Sequence, residues 1–196
     1  MRAEHGDELI GDSTEIRSYA NVMRGVVKLS KVLEDGRQQL VGLQFAPDFL
    51  GRLFGHESVL TAEAASSVDL CVIPHPALER MMEKTPALEH RLMQQTLREL
   101  DEAREWMVTL GRKTALEKVA SFLYLIAMHA DPVAKPSDSI TFELPLTRSD
   151  IADFLGLTIE TVSRQLTKLR QLDTISITNN RTIEVDDLAS LRVRCG

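Results

Sequence analysis

Between Pro86 and Gly111 the chain has no glycine or proline, and its apolar residues recur at spacings of three and four. Leu88, Leu92, Met93, Leu97, Leu100, Ala103, Met107 and Leu110 carry that rhythm. The pattern predicts a single helix of roughly six turns. Such a helix overhangs any small domain beside it, and its apolar stripe is wider than one seam. One part can cover a neighbouring domain while Leu92, Met93, Leu97, Leu100, Ala103, Met107 and Leu110 pair with the same helix of a second copy. The alternative is a helix packed wholly on its own domain. Three segments follow: 1–84 before the helix, 85–111 for the helix itself, and 112–196 after it.

The first segment reads as short strands with turns between them. Val26, Lys28, Ser30 and Val32 alternate with Val27, Leu29, Lys31 and Leu33, close to the period of two expected of a half-buried strand. Asp35-Gly36 supplies a hairpin turn, and Leu40 to Phe45 resumes as a strand that Pro47-Asp48 breaks. Val68 to Ile73 forms a further strand, stopped by Pro74 and Pro76. A small β-roll or barrel is the expected outcome.

After the long helix, Leu116, Val119, Ala120, Leu123 and Ile126 predict a second helix, and Asp131 to Ser139, with two prolines, a loop. Thr147 then stands as an N-cap, with Asp150 in the third position of a capping box. The helix it opens runs from about Arg148 to Leu155. Gly156 ends it, because glycine takes the left-handed C-terminal conformation without a Cβ penalty. Leu157 is buried between helices and Thr158 caps the next one, which is the spacing of a helix-turn-helix.

On that second helix Val162, Leu166 and Leu169 share one face, and Glu160, Ser163, Arg164 and Thr167 share the opposite one. The outer face carries the chemistry of base edges. Arg164 can give two donors to guanine, Glu160 can accept from the cytosine amino group, and Ser163 is short enough to approach closely. The bland alternative is an i, i+4 ion pair of Glu160 with Arg164 on a solvated face. Ile175 to Thr178 and Thr182 to Val185, joined through Asn179-Asn180-Arg181, predict a hairpin, the wing of a winged helix. Thr147, Arg148, Thr158, Thr161, Lys168 and Arg181 are the candidates for contacts to the DNA backbone.

The net charge of −6 would argue against a nucleic-acid partner if charge acted globally. Screening confines it to about 8–10 Å at ordinary salt. From Arg164 to Arg181, Arg164, Lys168, Arg170 and Arg181 face only Asp173, so a small basic end sits on an acidic body. That distribution fits a specific, salt-sensitive binder. Catalysis finds no support. His5, His56, His75, His90 and His129 are scattered, and no metalloprotease helix motif, nucleophile elbow, Walker loop or Rossmann fingerprint is present. With no apolar run of about 18 residues a membrane span is not expected. The N-terminus lacks the order of a secretory signal, and two cysteines are too few for a secreted scaffold, so a cytoplasmic location is expected.

The run Leu146-Thr-Arg-Ser-Asp-Ile-Ala-Asp-Phe-Leu-Gly-Leu-Thr-Ile-Glu-Thr-Val-Ser-Arg164 closely resembles the CRP/FNR family of bacterial regulators, and its FNR-like branch above all. The resemblance covers most of the chain. It implies an α+β fold: an N-terminal cyclic-nucleotide-binding-like β-roll, here incomplete, a long dimerisation helix, and a C-terminal winged helix-turn-helix. It implies a homodimeric activator that touches RNA polymerase and controls oxygen-responsive, anaerobic genes. It also implies an inverted repeat like TTGAT-N4-ATCAA, with Arg164 and Glu160 on the G·C pair and Ser163 near a thymine.

Nucleotide-binding members carry a Gly-Glu pair and, further on, an arginine before Ser or Thr and Ala. From Gly51 to Glu63 no Gly-Glu pair occurs and Leu60 stands before Thr61-Ala62, so cyclic AMP is not expected to bind. Oxygen sensors of the branch hold a [4Fe–4S] cluster on three N-terminal cysteines and one in the roll. Cys71 matches the roll cysteine and the other three are absent, so no cofactor is expected in this chain as it stands. A shortened form of an oxygen sensor is the expectation, since Gly6-Asp7 to Asn21 resembles the family after its first strands. The alternatives are a buried, inert Cys71 and a regulator that is cofactor-independent or responds to haem, through a histidine such as His56, or to a small ligand. Cys195 is read as incidental.

Overall fold

The computed structural model describes residues 1–52 and 55–196. The chain divides into two compact units, Met1–Arg104 and Glu105–Gly196. In the first unit eight strands lie among the described residues: β1 (Arg2–Ala3), β2 (Glu8–Ile10), β3 (Ser18–Arg24), β4 (Val26–Val32), β5 (Gln38–Phe45), β6 (Phe49–Leu50), β7 (Thr61–Ala64) and β8 (Val68–Pro74). They form two antiparallel sheets, ordered β1-β8-β3-β6 and β2-β7-β4-β5. Val22, Leu50, Val68 and Leu70 from the first and Val27, Ala62 and Ala64 from the second close one apolar core between them. The roll read from the sequence is therefore present.

Local turn chemistry sets the β4–β5 hairpin where Asp35-Gly36 predicts it. Gly36 takes φ +84°, and the Leu33 N–H reaches the Arg37 carbonyl at 2.8 Å. The clean alternation expected along β4 is not observed. Val27 is buried, but so are Lys28 and Ser30, while Val32 is exposed. Two causes act. The register slips between Leu29 and Ser30, which resets the phase against β5. Lys28 keeps its charge inside by pairing with Glu63 on the adjacent β7, at 2.9 Å.

Past β8, Pro76 lies in the first turn of a helix the sequence reading did not separate, α1 (His75–Lys84). Thr85 breaks it and the long helix α2 follows, Pro86–Arg112. The boundaries expected at 84/85 and 111/112 track the ends of α2, whereas the compact units divide inside it. A helix with so few buried side chains has no core of its own to make it a separate body. Met93, Leu97, Leu100, Ala103 and Met107 are exposed and Leu110 is half-buried. Leu92 is a correction. It turns away from that stripe into a cluster with Ile16, Tyr19, Phe49 and Leu78, and so belongs to the covering face of α2 rather than to the face expected to pair.

The second unit is built around α3 (Ala115–Ala130), opened by a capping box of Thr114 with Glu117. Val119, Ala120, Leu123 and Ile126 are buried as expected; Leu116 is only half-buried, and Phe122 and Ala127 are buried as well. A central helix packed on several sides buries more than one stripe. Around it stand β9 (Ile140–Glu143), α4 (Arg148–Leu155), α5 (Ile159–Gln171), β10 (Ser176–Thr178), β11 (Thr182–Val185) and α6 (Leu188–Val193). The sheet order is β10-β11-β9. Strand β9 went unread in the sequence, although Ile140 and Phe142 are buried and alternate with exposed Thr141 and Glu143. Helix α6 was also unread; Asp187 caps it by accepting from the Ala189 and Ser190 N–H groups at 3.0 and 3.1 Å.

Candidate nucleic-acid interface

The helix-turn-helix forms through the contacts its sequence predicts. The Asp150 N–H donates to Thr147 Oγ1 at 3.1 Å, and the Thr147 N–H donates back to Asp150 Oδ2 at 3.0 Å. Gly156 closes α4 at φ +61°, ψ +43°, and the Leu157 N–H reaches the Ala152 carbonyl at 3.0 Å. A Cβ at Gly156 would meet nothing within 4 Å, so the conformation alone resists substitution. Gly156→Ala is expected to cost the second unit about 1–2 kcal/mol of left-handed backbone strain. It should lower the denaturation midpoint at unchanged slope, and Gly156→Asn should lose less. An unchanged midpoint would show that the turn is not held left-handed.

Val162, Leu166 and Leu169 bury the inner face of α5, which fixes its rotation and turns Glu160, Ser163 and Arg164 outward together, all exposed. The Thr158 hydroxyl caps α5 by accepting from the Thr161 N–H at 3.2 Å and donates to Thr161 Oγ1 at 3.1 Å. Arg164 Nη2 donates to that same Oγ1 at 3.3 Å, turning to Thr161 rather than to Glu160. The ion-pair alternative is thus not the arrangement found. Thr158 and Thr161 act first as the frame of the Arg164 side chain, an arrangement the sequence reading missed. Only the i, i+3 spacing of the two threonines and of Thr161 with Arg164 could have signalled it.

The Glu160 carboxyl is held below the usual carboxylate range, first of all by its own backbone N–H. It stays ionised at neutral pH and can act only as an acceptor. Thr167, also on the outer stripe, spends its hydroxyl on the Ser163 carbonyl at 3.0 Å.

Lys168 and Arg181 are exposed, on the last turns of α5 and at the wing turn. Asn179 and Asn180 both take left-handed φ, 51° and 59°. Thr147 is half-buried and its hydroxyl also donates to Asp150 Oδ2 at 2.6 Å, so capping already occupies it. Arg148 departs most from its expected role. Its Nη2 donates to the Asn180 carbonyl at 3.1 Å, and its Nη1 is buried without a partner.

In the roll, Cys71 on β8 lies opposite Asn21 and is exposed, so the reading of it as a buried core thiol does not hold. Cys195 is buried, its thiol donating to the Leu191 carbonyl at 3.4 Å, and burial pushes its pKa up. His56 is exposed. Among the described residues no group of three or more His, Cys, Asp or Glu could hold a metal ion. The first unit also carries a half-open cavity of about 590 Å³. Leu29, Phe49 and Leu92 give it apolar walls, Glu89 and Glu99 give it carboxylates, and Arg52 is the one cation in its lining among the described residues. The stretch compared above with nucleotide-binding relatives includes residues 53 and 54, which lie outside the described residues.

A capped helix-turn-helix with a wing, following a roll and a long helix, defines a DNA-binding regulator. The comparisons agree. Residues 1–85 match the profile of the cyclic nucleotide-binding domain and residues 117–194 that of the Crp-like helix-turn-helix domain. A probable transcriptional activator of Rhizobium leguminosarum bv. viciae is 57% identical, over 97% of this chain and 78% of that protein. The transcriptional activator protein FnrL of Cereibacter sphaeroides is 42% identical over the same shares, 97% and 78%. The structure of FixK2 from Bradyrhizobium japonicum superposes with a TM-score of 0.88 at 30% identity, covering 100% of this chain and 96% of that one. The chain belongs to the CRP/FNR family of transcription regulators. Its relatives and fold are those of regulators and not of enzymes. Among the described residues no helix is long and apolar enough to cross a membrane.

Proposed function

We propose that the chain is an activator that binds, as a homodimer, an inverted repeat like TTGAT-N4-ATCAA, recruits RNA polymerase, and controls oxygen-responsive genes. Helix α5 enters the major groove. Arg164 and Glu160 read the G·C pair and Ser163 lies beside a thymine, while Lys168 and Arg181 take phosphates. The observation that carries this reading is the trio itself: an acid, a hydroxyl and a guanidinium exposed on one face of a helix whose other face is locked in the core. The oxygen link is supported by likeness to FnrL and FixK2. Selection from a random duplex pool tests the function. It should enrich a two-fold symmetric site with a guanine at a fixed position in each half. Unsymmetric enrichment, or none, would overturn the reading.

In the cytoplasm, where the chain would act, its own residues hold no cofactor by themselves, while a parent with further N-terminal cysteines would leave room for a cluster. A [4Fe–4S] cluster takes four thiolates, and Cys71 is the one accessible thiol of the chain, since Cys195 is buried. The residues present do not fit the cluster. A cyclic nucleotide fits the roll no better. Leu60, where the resemblance would place the phosphate-holding arginine, lines the cavity with an alkyl chain, and Glu89 and Glu99 oppose an anion there.

A further inference from the structure

We infer that Arg148 is a positioning residue of the wing and not a phosphate ligand: its guanidinium fixes where the wing-tip Arg181 stands relative to the reading trio on α5. The inference rests on the DNA-reading function proposed above.

Two bonds tie the wing turn down, and both come from the segment that opens α4. The Leu144 N–H donates to the Arg181 carbonyl at 2.9 Å, and Arg148 Nη2 donates to the Asn180 carbonyl at 3.1 Å. The turn needs such ties. Asn179 and Asn180 at φ 51° and 59° occupy a region that asparagine tolerates without being confined to it. The other arm of the guanidinium, Nη1, is covered and makes no hydrogen bond. A phosphate arriving from solvent cannot reach that atom as it stands. Burial also lowers the Arg148 pKa, as expected for a guanidinium drawn out of water.

A planar fork with one arm bonded and the other enclosed has one orientation, which lysine cannot reproduce. From Arg148 the chain runs through the Thr147–Asp150 cap and the Gly156 turn directly into α5. The Arg148–Asn180 bond therefore couples two registers: the phosphate register held by Arg181 and the base register held by Glu160, Ser163 and Arg164. If the wing swings, the phosphate contact no longer sets the depth and slide of α5 in the groove.

A double-mutant cycle in the full chain separates the two roles. Affinity for the selected duplex is measured by fluorescence anisotropy at several salt concentrations for wild type, Arg148→Ala, Arg181→Ala and the double variant. Arg181→Ala should reduce the slope of log K against log salt by about 0.9 per phosphate lost. Arg148→Ala should weaken specific binding by about fivefold or more when Arg181 is present, and change neither affinity nor slope when Arg181 is already alanine. Arg148→Lys, which keeps the charge, should not restore binding.

Amide exchange at residues 180–182 of the free protein should quicken in both Arg148 variants, while α3 to α5 stay protected. Additive losses, a further slope decrease of about 0.9 per half-site in the double variant, rescue by lysine, or unchanged exchange at the wing would each overturn the inference. Should Arg148→Ala fail to fold, Arg148→Lys and Arg148→Gln carry the same cycle. Wild-type protein that binds no duplex would overturn the DNA-reading function instead, and the exchange experiment would still decide the Arg148–Asn180 tie.

Discussion

Arg164→Ala is expected to erase the preference for guanine at its position while leaving the fold intact. A bidentate arginine–guanine pair discriminates by about 1–3 kcal/mol, roughly 5- to 150-fold. A symmetric site engages the pair twice, so the penalty on the whole operator is about 2–6 kcal/mol if the halves add. Stability should stay within about 0.5 kcal/mol, because the side chain is exposed and bonds only to a threonine hydroxyl. Arg164→Lys sharpens the test. It keeps the charge, and so most of the non-specific attraction, but loses the two parallel donors. Anisotropy titrations on the selected duplex, and on the same duplex with each guanine replaced by adenine, measure the discrimination directly. An alanine variant that still separates the two duplexes by the wild-type ratio would remove Arg164 from base reading.

The helix-turn-helix was legible because its determinants are local. The caps of α4 and α5 join residues three apart, and the Gly156 turn spans only a few positions, so each is a short pattern with one physical outcome. The errors arise where a contact is long in sequence or a strand changes phase. Arg148 meets the wing 32 residues away, and nothing near Arg148 announces Asn180. Strand β9 finds its partner β11 some 40 residues on, across α4 and α5, and its four residues follow a proline-containing loop. Counting along β8 puts Cys71 on the face opposite the buried Val68 and Leu70, so the core-thiol reading came from the general tendency of free cysteine to be buried and not from the phase of the strand. Leu92 and Met93 are adjacent and both apolar, and only Tyr19, Phe49 and Leu78, packed around Leu92, decide which of them turns inward.

The exposed side of α2 yields the second large expectation. Met93, Leu97, Leu100 and Met107 are 56%, 54%, 44% and 72% exposed in the single chain. Their steps of four, three and seven follow a heptad seam, and Ala103 lies among them as a small residue that lets two helices approach. Four large apolar side chains aligned on one helix are more than scattered surface residues and mark a partner surface. A second copy of α2 is the partner we propose for this seam, since it repeats at the interval of two helices coiled on each other. Leu100→Glu places two carboxylates against each other at the middle of that seam. Because Leu100 is exposed in the single chain, the variant should remain folded by circular dichroism. Its mass by light scattering should fall from dimer to monomer. A monomer holds one half-site at a time and loses the gain from linking two, about 10²–10⁴ in affinity on an inverted repeat. Binding to an isolated half-site should be nearly unchanged, which separates a broken seam from a broken reading head. Equal mass before and after the substitution would place the dimer contact elsewhere and leave these four residues unexplained.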